Sequence, residues 1–246
     1  MHRARPHVLA NFAVSLDGVA ALAPGTRTLG VEITGGVPED RFLLGLLRSI
    51  SGAVIIGAGT LRASPRHRWT AERAAPALAD RFRALRTRLH LEGAPLNVVV
   101  TASGRLDLTL PLFRSGEVPV LVVTTPPGAR RLSSARLPPG IRIATASNGP
   151  SIPAPAILRA VARVRSCGTV LVEGGPHLLA RFVSDRCLDE LFLTVAPRLI
   201  GRDRVRRRLS LIEGRVSGDG GSLDARLWSV RRGGELLFLR YGLPRR

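Results

Sequence analysis

Short runs of apolar residues, rich in valine and isoleucine, recur along the chain: HVLANFAVS (7–15), GAVIIGAG (52–59), LNVVVTAS (96–103), VPVLVVTT (118–125), IRIATA (141–146), GTVLVEGG (168–175) and DELFLTVAPRLIG (189–201). Several are apolar at successive positions and not at alternate ones. A strand buried on both faces has that signature, because odd and even side chains alike meet core. Helical patterns lie between the runs. PEDRFLLGLLRSI (38–50) opens on a proline and two acids, which suit the first turn of a helix. PALADRFRALRTRLHL (76–91) starts on Pro76 and has no later proline or glycine, so the pattern predicts one helix. PAPAILRAVARVR (153–165) and PHLLARFVSDR (176–186) complete the set.

This alternation predicts an α/β fold: a mostly parallel central sheet with helices on both faces, in three layers. The tail breaks the rhythm. RLWSVRRGGELLFLRYGL (226–243) reads as two strands around Gly233–Gly234, a C-terminal β-hairpin that makes the sheet mixed. SGDGGS (217–222) reads as a flexible loop ahead of it. No internal repeat and no long linker divides the 246 residues, so one domain over 1–246 is expected.

Charge changes the picture only in part. The formal net charge is +19, and all 37 basic residues in the Lys+Arg count are arginine. They are spread along the chain, with one dense run, GRDRVRRRLS (201–210). Aromatic residues make up only 4% of the chain, with Tyr241 the single tyrosine, so platforms for stacking bases are scarce. A compositional bias toward arginine explains the count more simply than a groove for nucleic acid, and such a charge still favours anionic, phosphate-bearing ligands. Cys167 and Cys187 are the only cysteines and fit neither a metal spacing nor a disulfide framework. The five histidines, at 2, 7, 67, 90 and 177, show no metal spacing either, and no metal is expected. No apolar stretch approaches the roughly 18 residues of a membrane span. The basic start leads into a short run that meets Asp17 and lacks a small-residue cleavage site, so a signal peptide is not read there and a cytoplasmic protein is expected.

Candidate chemistry lies where strands end. In VLVEGGPHLLARF (170–182) an apolar run stops at Glu173, two glycines follow, and Pro176 starts a helix. In an open α/β sheet ligands bind at the carboxyl ends of strands, and a helix beginning there offers backbone N–H groups to an anion. Gly174 and Gly175 let a diphosphate approach the main chain. VIIGAGTLRAS (54–64) ends similarly in Gly57-Ala58-Gly59-Thr60, without the third glycine of a full dinucleotide fingerprint. TASGR (101–105) supplies Thr101, Ser103 and Arg105 for a ribose or a 2′-phosphate. FAVSLDGVAAL (12–22) brings Asp17 to a turn leaving the sheet, as a ligand contact or as an ordinary Asx-turn.

The order SLDG, VIIGAGTLRAS, VVVTAS, VLVEGGPHLLARFV and LDELFLTVAPRLIG closely resembles the pyrimidine reductase domain of bacterial riboflavin biosynthesis, in the dihydrofolate-reductase-like superfamily, over about residues 7–242. The resemblance implies a dihydrofolate-reductase-like fold and NADPH-dependent reduction of a 5-amino-6-(5-phosphoribosylamino)uracil-type pyrimidine to its ribitylamino form. It implies cofactor contacts near Val14, Gly57, Gly59, Thr60, Ser64, Thr101 and Ser103, and on Gly174, Gly175, Pro176, His177 and Leu178. Substrate contacts are implied at Arg48 and Glu173, with Asp17 at the floor of the site and Arg68 as the downstream arginine; no catalytic acid is assigned. A homodimer is implied as well, with LDELFLTVAPRLIG offering an apolar face.

Three departures from the family pattern stand out. Ser64 replaces an acidic residue within a shortened RASPRHRW segment, Ala102 replaces a serine, and residues 71–93 are longer, as if carrying an added helix. The zinc deaminase motif that often accompanies this reductase, H-x-E with P-C-x-x-C, is absent from the sequence. These departures leave two alternatives to the leading reading: an NADPH reductase of the same superfamily acting on a pterin or another small molecule, and an arginine-rich binding protein without chemistry.

Overall fold

The computed structural model describes residues 5–22, 30–135, 137–202, 208–214 and 222–244. The loop expected at 217–222, save Ser222, and the core of the arginine run, 203–207, lie outside the described residues. Among the described residues there are eleven strands: β1 (His7–Ser15), β2 (Val19–Ala21), β3 (Ala53–Gly57), β4 (Leu96–Thr101), β5 (Val120–Thr124), β6 (Ile141–Thr145), β7 (Thr169–Val172), β8 (Glu190–Ala196), β9 (Leu209–Ser210), β10 (Arg226–Gly233) and β11 (Leu236–Gly242). The helices are α1 (Gly30–Thr34), α2 (Pro38–Ser49), α3 (Ala58–Ala63), α4 (Ala71–Ala74), α5 (Ala79–Arg88), α6 (Pro111–Arg114), α7 (Pro126–Ser133), α8 (Ala154–Val164) and α9 (Pro176–Ser184).

Nine strands form one sheet in the order β10-β11-β8-β1-β7-β3-β4-β5-β6. All neighbours from β8 to β6 pair parallel, and β11 pairs antiparallel with both β8 and β10. The mixed sheet with a terminal hairpin is the arrangement that the sequence pattern predicts. The continuous apolar runs are explained residue by residue. In β1, Val8, Ala10 and Phe12 face one core and Leu9 the other. In β3, Ala53 and Ile55 point one way and Val54 and Ile56 the opposite way, and β7 repeats this with Val170 and Val172 against Leu171. Ile157, Val161, Leu179 and Phe182 from α8 and α9 cover the first face. Leu47 of α2, Leu61 of α3, Trp69, Leu112, Phe113 and Leu132 cover the second.

Three details depart from the sequence pattern. The segment 76–91 is not one helix: a 3-10 turn over Pro76–Leu78 precedes α5, and His90 closes it with a positive φ of 54°. α5 buries Phe82 against Gly45 of α2. The apolar run 189–201 is strand only to Ala196, because Pro197 cannot donate to a ladder. Helix α7 and the small β2–β9 pair carry no clear period in sequence and were not anticipated from it.

Arg86 of α5 closes the end of α2. Its Nη1 donates to the carbonyls of Arg48 (3.2 Å), Ser49 (3.1 Å) and Ser51 (2.9 Å), and its Nε donates to Gly93 O (2.8 Å). A cation at a helix C-terminus satisfies carbonyls that have no partner within the helix. The segment between 71 and 93 thus fixes the turn from which the Arg48 side chain departs.

Candidate active site

Five adjacent parallel strands, β8, β1, β7, β3 and β4, end on one edge of the sheet, at Ala196, Ser15, Val172, Gly57 and Thr101. The turns selected from the sequence all begin there. Asp17, Glu173 to Leu178, Gly57 to Ser64, and Thr101 to Arg105 therefore follow one another in the order of the strands, with β1 and β8 running on beyond the end of β7, where Ala10 pairs with Val172.

The two glycines after Glu173 have different reasons to be glycine. A Cβ on Gly174 would lie 2.4 Å from Leu178 Cδ2 and 3.0 Å from the backbone nitrogen of Gly57. This residue is glycine because the β7 and β3 exits press together. A Cβ on Gly175 would meet only Thr60 Oγ1, at 3.5 Å, and its φ of −63° suits any residue. A Cβ on Gly57 would meet nothing within 4 Å, and one on Gly59 only Arg62 Nη2 at 3.9 Å. Gly57, Gly59 and Gly175 thus border open space at the start of α9, whose first turn has no side-chain cap. Bare backbone and an uncapped helix N-terminus suit a diphosphate. Thr60 stands beside this space, Pro176 is buried in the first turn of α9, and Leu178 packs under Gly174.

The next exit is also built by close approach. A Cβ on Gly104 would lie 2.3 Å from Gly128 O, and one on Gly128 would lie 2.7 Å from Ala102 O. Thr101 Oγ1 accepts from Gly104 N (3.2 Å), so that hydroxyl is used within the turn. Ser103 is exposed, its Oγ accepts from Arg105 N (3.3 Å), and Arg131 Nη1 donates to its carbonyl (2.6 Å). Arg105, Arg130 and Arg131 are all exposed around this turn.

Arg48 and Glu173 meet. Arg48 Nε donates to Glu173 Oε1 (2.8 Å) and Nη2 to Oε2 (2.6 Å), a two-pronged pair between α2 and the end of β7. Arg48 Nη1 donates to Thr70 O (3.0 Å) and lies 3.0 Å from His67 Nε2. Arg48 is only 2% exposed, so it is enclosed by protein partners and does not stand open to solvent. A guanidinium can only donate, so His67 Nε2 accepts and the imidazole is neutral. Burial, then the charges of Arg48 and Arg68, push its pKa from 6.5 down to about 3. His67 also meets Trp69 edge-on at 5.0 Å between ring centroids. The loop is held from the sheet: Trp69 N donates to Asn97 Oδ1 (2.9 Å), and Asn97 Nδ2 donates to Trp69 O (3.2 Å) and Pro95 O (3.0 Å).

Sequence reasoning left out His67, because a lone histidine in RASPRHRW carries no spacing signal. It also read Asp40 only as part of a helix start. Asp40 accepts from Thr34 Oγ1 (3.0 Å) and Thr194 Oγ1 (3.1 Å). Burial raises its pKa, and the charge of Glu173 pushes the same way.

Asp17 accepts from Ser15 Oγ (2.5 Å), Ile200 N (3.2 Å) and Gly201 N (2.6 Å). These bonds, that of Ser15 foremost, hold its carboxyl at about 2. It ties the exit of β1 to the loop after β8. Arg68 is not brought to the Arg48–Glu173 pair; its Nε donates to Glu117 Oε2 (2.8 Å). His177 is exposed, with Nδ1 3.2 Å from Glu213 O, and Val14 is buried in β1. Ser64 is 5% exposed, and its Oγ has no partner among the described residues. No group of histidine, cysteine, aspartate or glutamate among the described residues could hold a metal ion, and no helix among them is long and apolar enough to cross a membrane.

The model of the RibD C-terminal domain family matches residues 6–235. No curated protein matches the sequence. Among solved structures the chain is similar to RibD of Acinetobacter baumannii, with 24% identity and a TM-score of 0.69, over 98% of this chain and 59% of that one. It is similar to a pyrimidine reductase-like protein of Corynebacterium diphtheriae, with 23% identity and a TM-score of 0.74, over 98% of this chain and 93% of that one. A riboflavin biosynthesis reductase of Saccharomyces cerevisiae shares 15% identity at a TM-score of 0.65, over 99% and 92% of the two chains. The chain thus spans about three-fifths of the length of the Acinetobacter protein. At these identities the structural likeness shows the fold.

Two stability measurements check this geometry. Gly174→Ala should cost about 1–3 kcal/mol through overpacking, and Gly175→Ala should stay within about 0.5 kcal/mol of the parent, both read by urea unfolding. Equal costs would remove the distinction between the two glycines. The second concerns His67. Between pH 6.5 and about 3 the unfolded imidazole binds a proton that the folded one refuses. The stability from neutral His67 is therefore complete above pH 6.5 and declines as the pH falls toward 3. His67→Gln keeps an acceptor for Arg48 and should flatten that slope, measured by unfolding at pH 7.5 and pH 4.5.

Proposed function

The chain belongs to the RibD C-terminal domain family, and from that premise we propose that it is an NADPH-dependent reductase acting on a 5-amino-6-(5-phosphoribosylamino)uracil-type pyrimidine. The observation that carries the proposal is the conjunction at one sheet edge. Open, side-chain-free backbone at Gly57, Gly59 and Gly175 adjoins the polar wall of Glu173, Arg48 and His67. The bare backbone would take the diphosphate of the cofactor, with Thr60 alongside and Val14, Ser64, Thr101, Ser103, His177 and Leu178 completing its surroundings. Bound NADPH supplies the hydride.

The protein's own residues bind, orient and exclude water. Glu173 faces the substrate's hydroxyl or ring N–H groups. Arg48 acts chiefly through Glu173, because its guanidinium is already engaged with that carboxylate, His67 and Thr70. A substrate phosphate would reach Arg48 only by displacing Glu173. Asp17 shapes the floor by holding the loop at Ile200 and Gly201, and Arg68 supports the His67 loop from behind. The exposed Arg105, Arg130 and Arg131 around Ser103 favour the 2′-phosphate, and so NADPH over NADH. One feature favours the second reading, another small substrate such as a pterin: the neutral Ser64 hydroxyl stands where the family pattern carries an acid.

The protein works as a soluble homodimer in this reading. Val230 and Leu237, 54% and 42% exposed, stand on the edge strand β10 and its neighbour β11 and offer apolar surface for a second copy.

Three measurements test the proposal. NADPH oxidation, followed spectrophotometrically with the deaminated and the undeaminated pyrimidine and with a dihydropterin, should show turnover with one of the pyrimidines; turnover with the pterin alone would transfer the case to the second reading. NADPH should raise Tm more than NADH, and Gly175→Val should stay folded and lose that shift; equal shifts would count against the arginine-rich turn. The mass in solution by light scattering should be that of two chains, and Val230→Arg should lower it.

A further inference from the structure

We propose that Asp40 sets the choice of substrate: its carboxylate takes two adjacent N–H donors on the free edge of a 2-amino-4-oxopyrimidine, so the undeaminated pyrimidine is preferred to the dione. This rests on the function proposed above and names the substrate class of that site. Helix α2 runs over β1 from one flanking strand to the other. Asp40, in its first turn, accepts from Thr194 of β8, and Arg48, in its last turn, grips Glu173 at the end of β7. Eight residues of helix, a rise of about 12 Å, separate the two. Between them α2 does not seal the sheet, for its buried residues begin only at Gly45. Asn11 and Ala13 of β1 lie on the face of Leu9, toward α2, and are half-buried although β1 has a strand on each side. A groove therefore runs under the helix, with Asp40 at one end and the Arg48–Glu173 pair at the other.

The two ends differ chemically. Glu173 spends both oxygens on Arg48. Asp40 receives only hydroxyls among the described residues: its Oδ2 accepts from Thr34 Oγ1 (3.0 Å) and its Oδ1 from Thr194 Oγ1 (3.1 Å). Each oxygen thus has one lone-pair direction filled and one open. Two open acceptors side by side match two parallel N–H donors, as when a carboxylate receives a guanidinium. Burial opposes the ionisation of Asp40, and so does the charge of Glu173. Two further N–H donors would favour the charged form. The free edge of the dione is one N–H between two carbonyls, so a carbonyl would face a carboxylate oxygen. In the 2-amino-4-oxo ring an amino group replaces that carbonyl, and both contacts attract.

The test compares the two phosphoribosylamino pyrimidines in the parent and in Asp40→Asn. The amide keeps the size of the side chain and can still bond both threonines, but it sets an NH2 where an acceptor stood. In the parent, kcat/KM with NADPH should be about tenfold to a hundredfold higher for the 2-amino ring than for the dione. The calorimetric Kd values of the two ribitylamino products should follow the same order. Asp40→Asn should erase or reverse that ratio and keep the parent's Tm and Kd for NADPH. A parent that prefers the dione would overturn the assignment and leave the proposed function standing; this arm needs no variant. A ratio unchanged in Asp40→Asn would overturn the assignment too, as would a variant that loses NADPH binding together with the ratio. Turnover of a dihydropterin alone, which carries the same amino-oxo edge, would overturn the proposed function, and its loss in Asp40→Asn would keep Asp40 as the reader of that edge. A parent that binds none of these compounds would overturn both.

Discussion

The ion pair between Arg48 and Glu173 is the constraint on which the site depends. It joins the last turn of α2 to the residue where β7 leaves the sheet. Both side chains are almost fully enclosed. Burying two charges is costly, and their attraction repays it only with good geometry and further hydrogen bonds. Those conditions are met from several directions. His67 and Thr70 hold the remaining guanidinium nitrogen, and Arg86 clamps the carbonyls of the same helix end. Asn97 in turn fixes the loop that presents His67. Removing either charge would leave the other stranded, at roughly 3–5 kcal/mol by the usual measure of such changes. A pair of that kind is weak evidence for stability and fits better with orienting Glu173.

Beside this rigid wall the exits of β3 and β7 leave room. Gly174 permits the close approach of the two turns, and Gly175, Gly57 and Gly59 keep the adjoining space clear. The same local sequence thus serves two purposes: one glycine for packing, its neighbour for access. The arrangement follows from strand order. Only because β7 lies between β1 and β3 do the GAG and EGG turns touch, with Asp17 next along the edge. Among the described residues the buried side-chain atoms without a partner are Asn11 Oδ1, Ser64 Oγ, Arg86 Nη2 and Thr124 Oγ1. Elsewhere in the sheet buried polar side chains find partners, as Asn97 does, or are crowded by a neighbour, as Thr124 Oγ1 is beneath Gly128.

Local order was enough to make most of the architecture legible. Successive valines and isoleucines announced strands covered on both faces, and the structure divides them, residue by residue, between two cores. Gly233–Gly234 announced the hairpin, and Pro38 and Pro176 announced helix starts. The pattern over 76–91 misled, because absence of a breaker does not oblige a helix to continue when packing requires a bend. Asp17, Glu173 and the glycines were visible as turn chemistry at strand ends. What their atoms touch was not.

From its sequence alone this chain determined its strands, its helix starts and the turns that could receive a ligand, since each depends on residues close together along the backbone. Tertiary structure decided that Arg48 grips Glu173, 125 positions away, that His67 is neutral beside it, and that Asn11 goes unsatisfied while Asn97 does not. Those outcomes depend on which strands become neighbours, and a guanidinium or a carboxamide carries no mark of its future partner until the sheet is assembled.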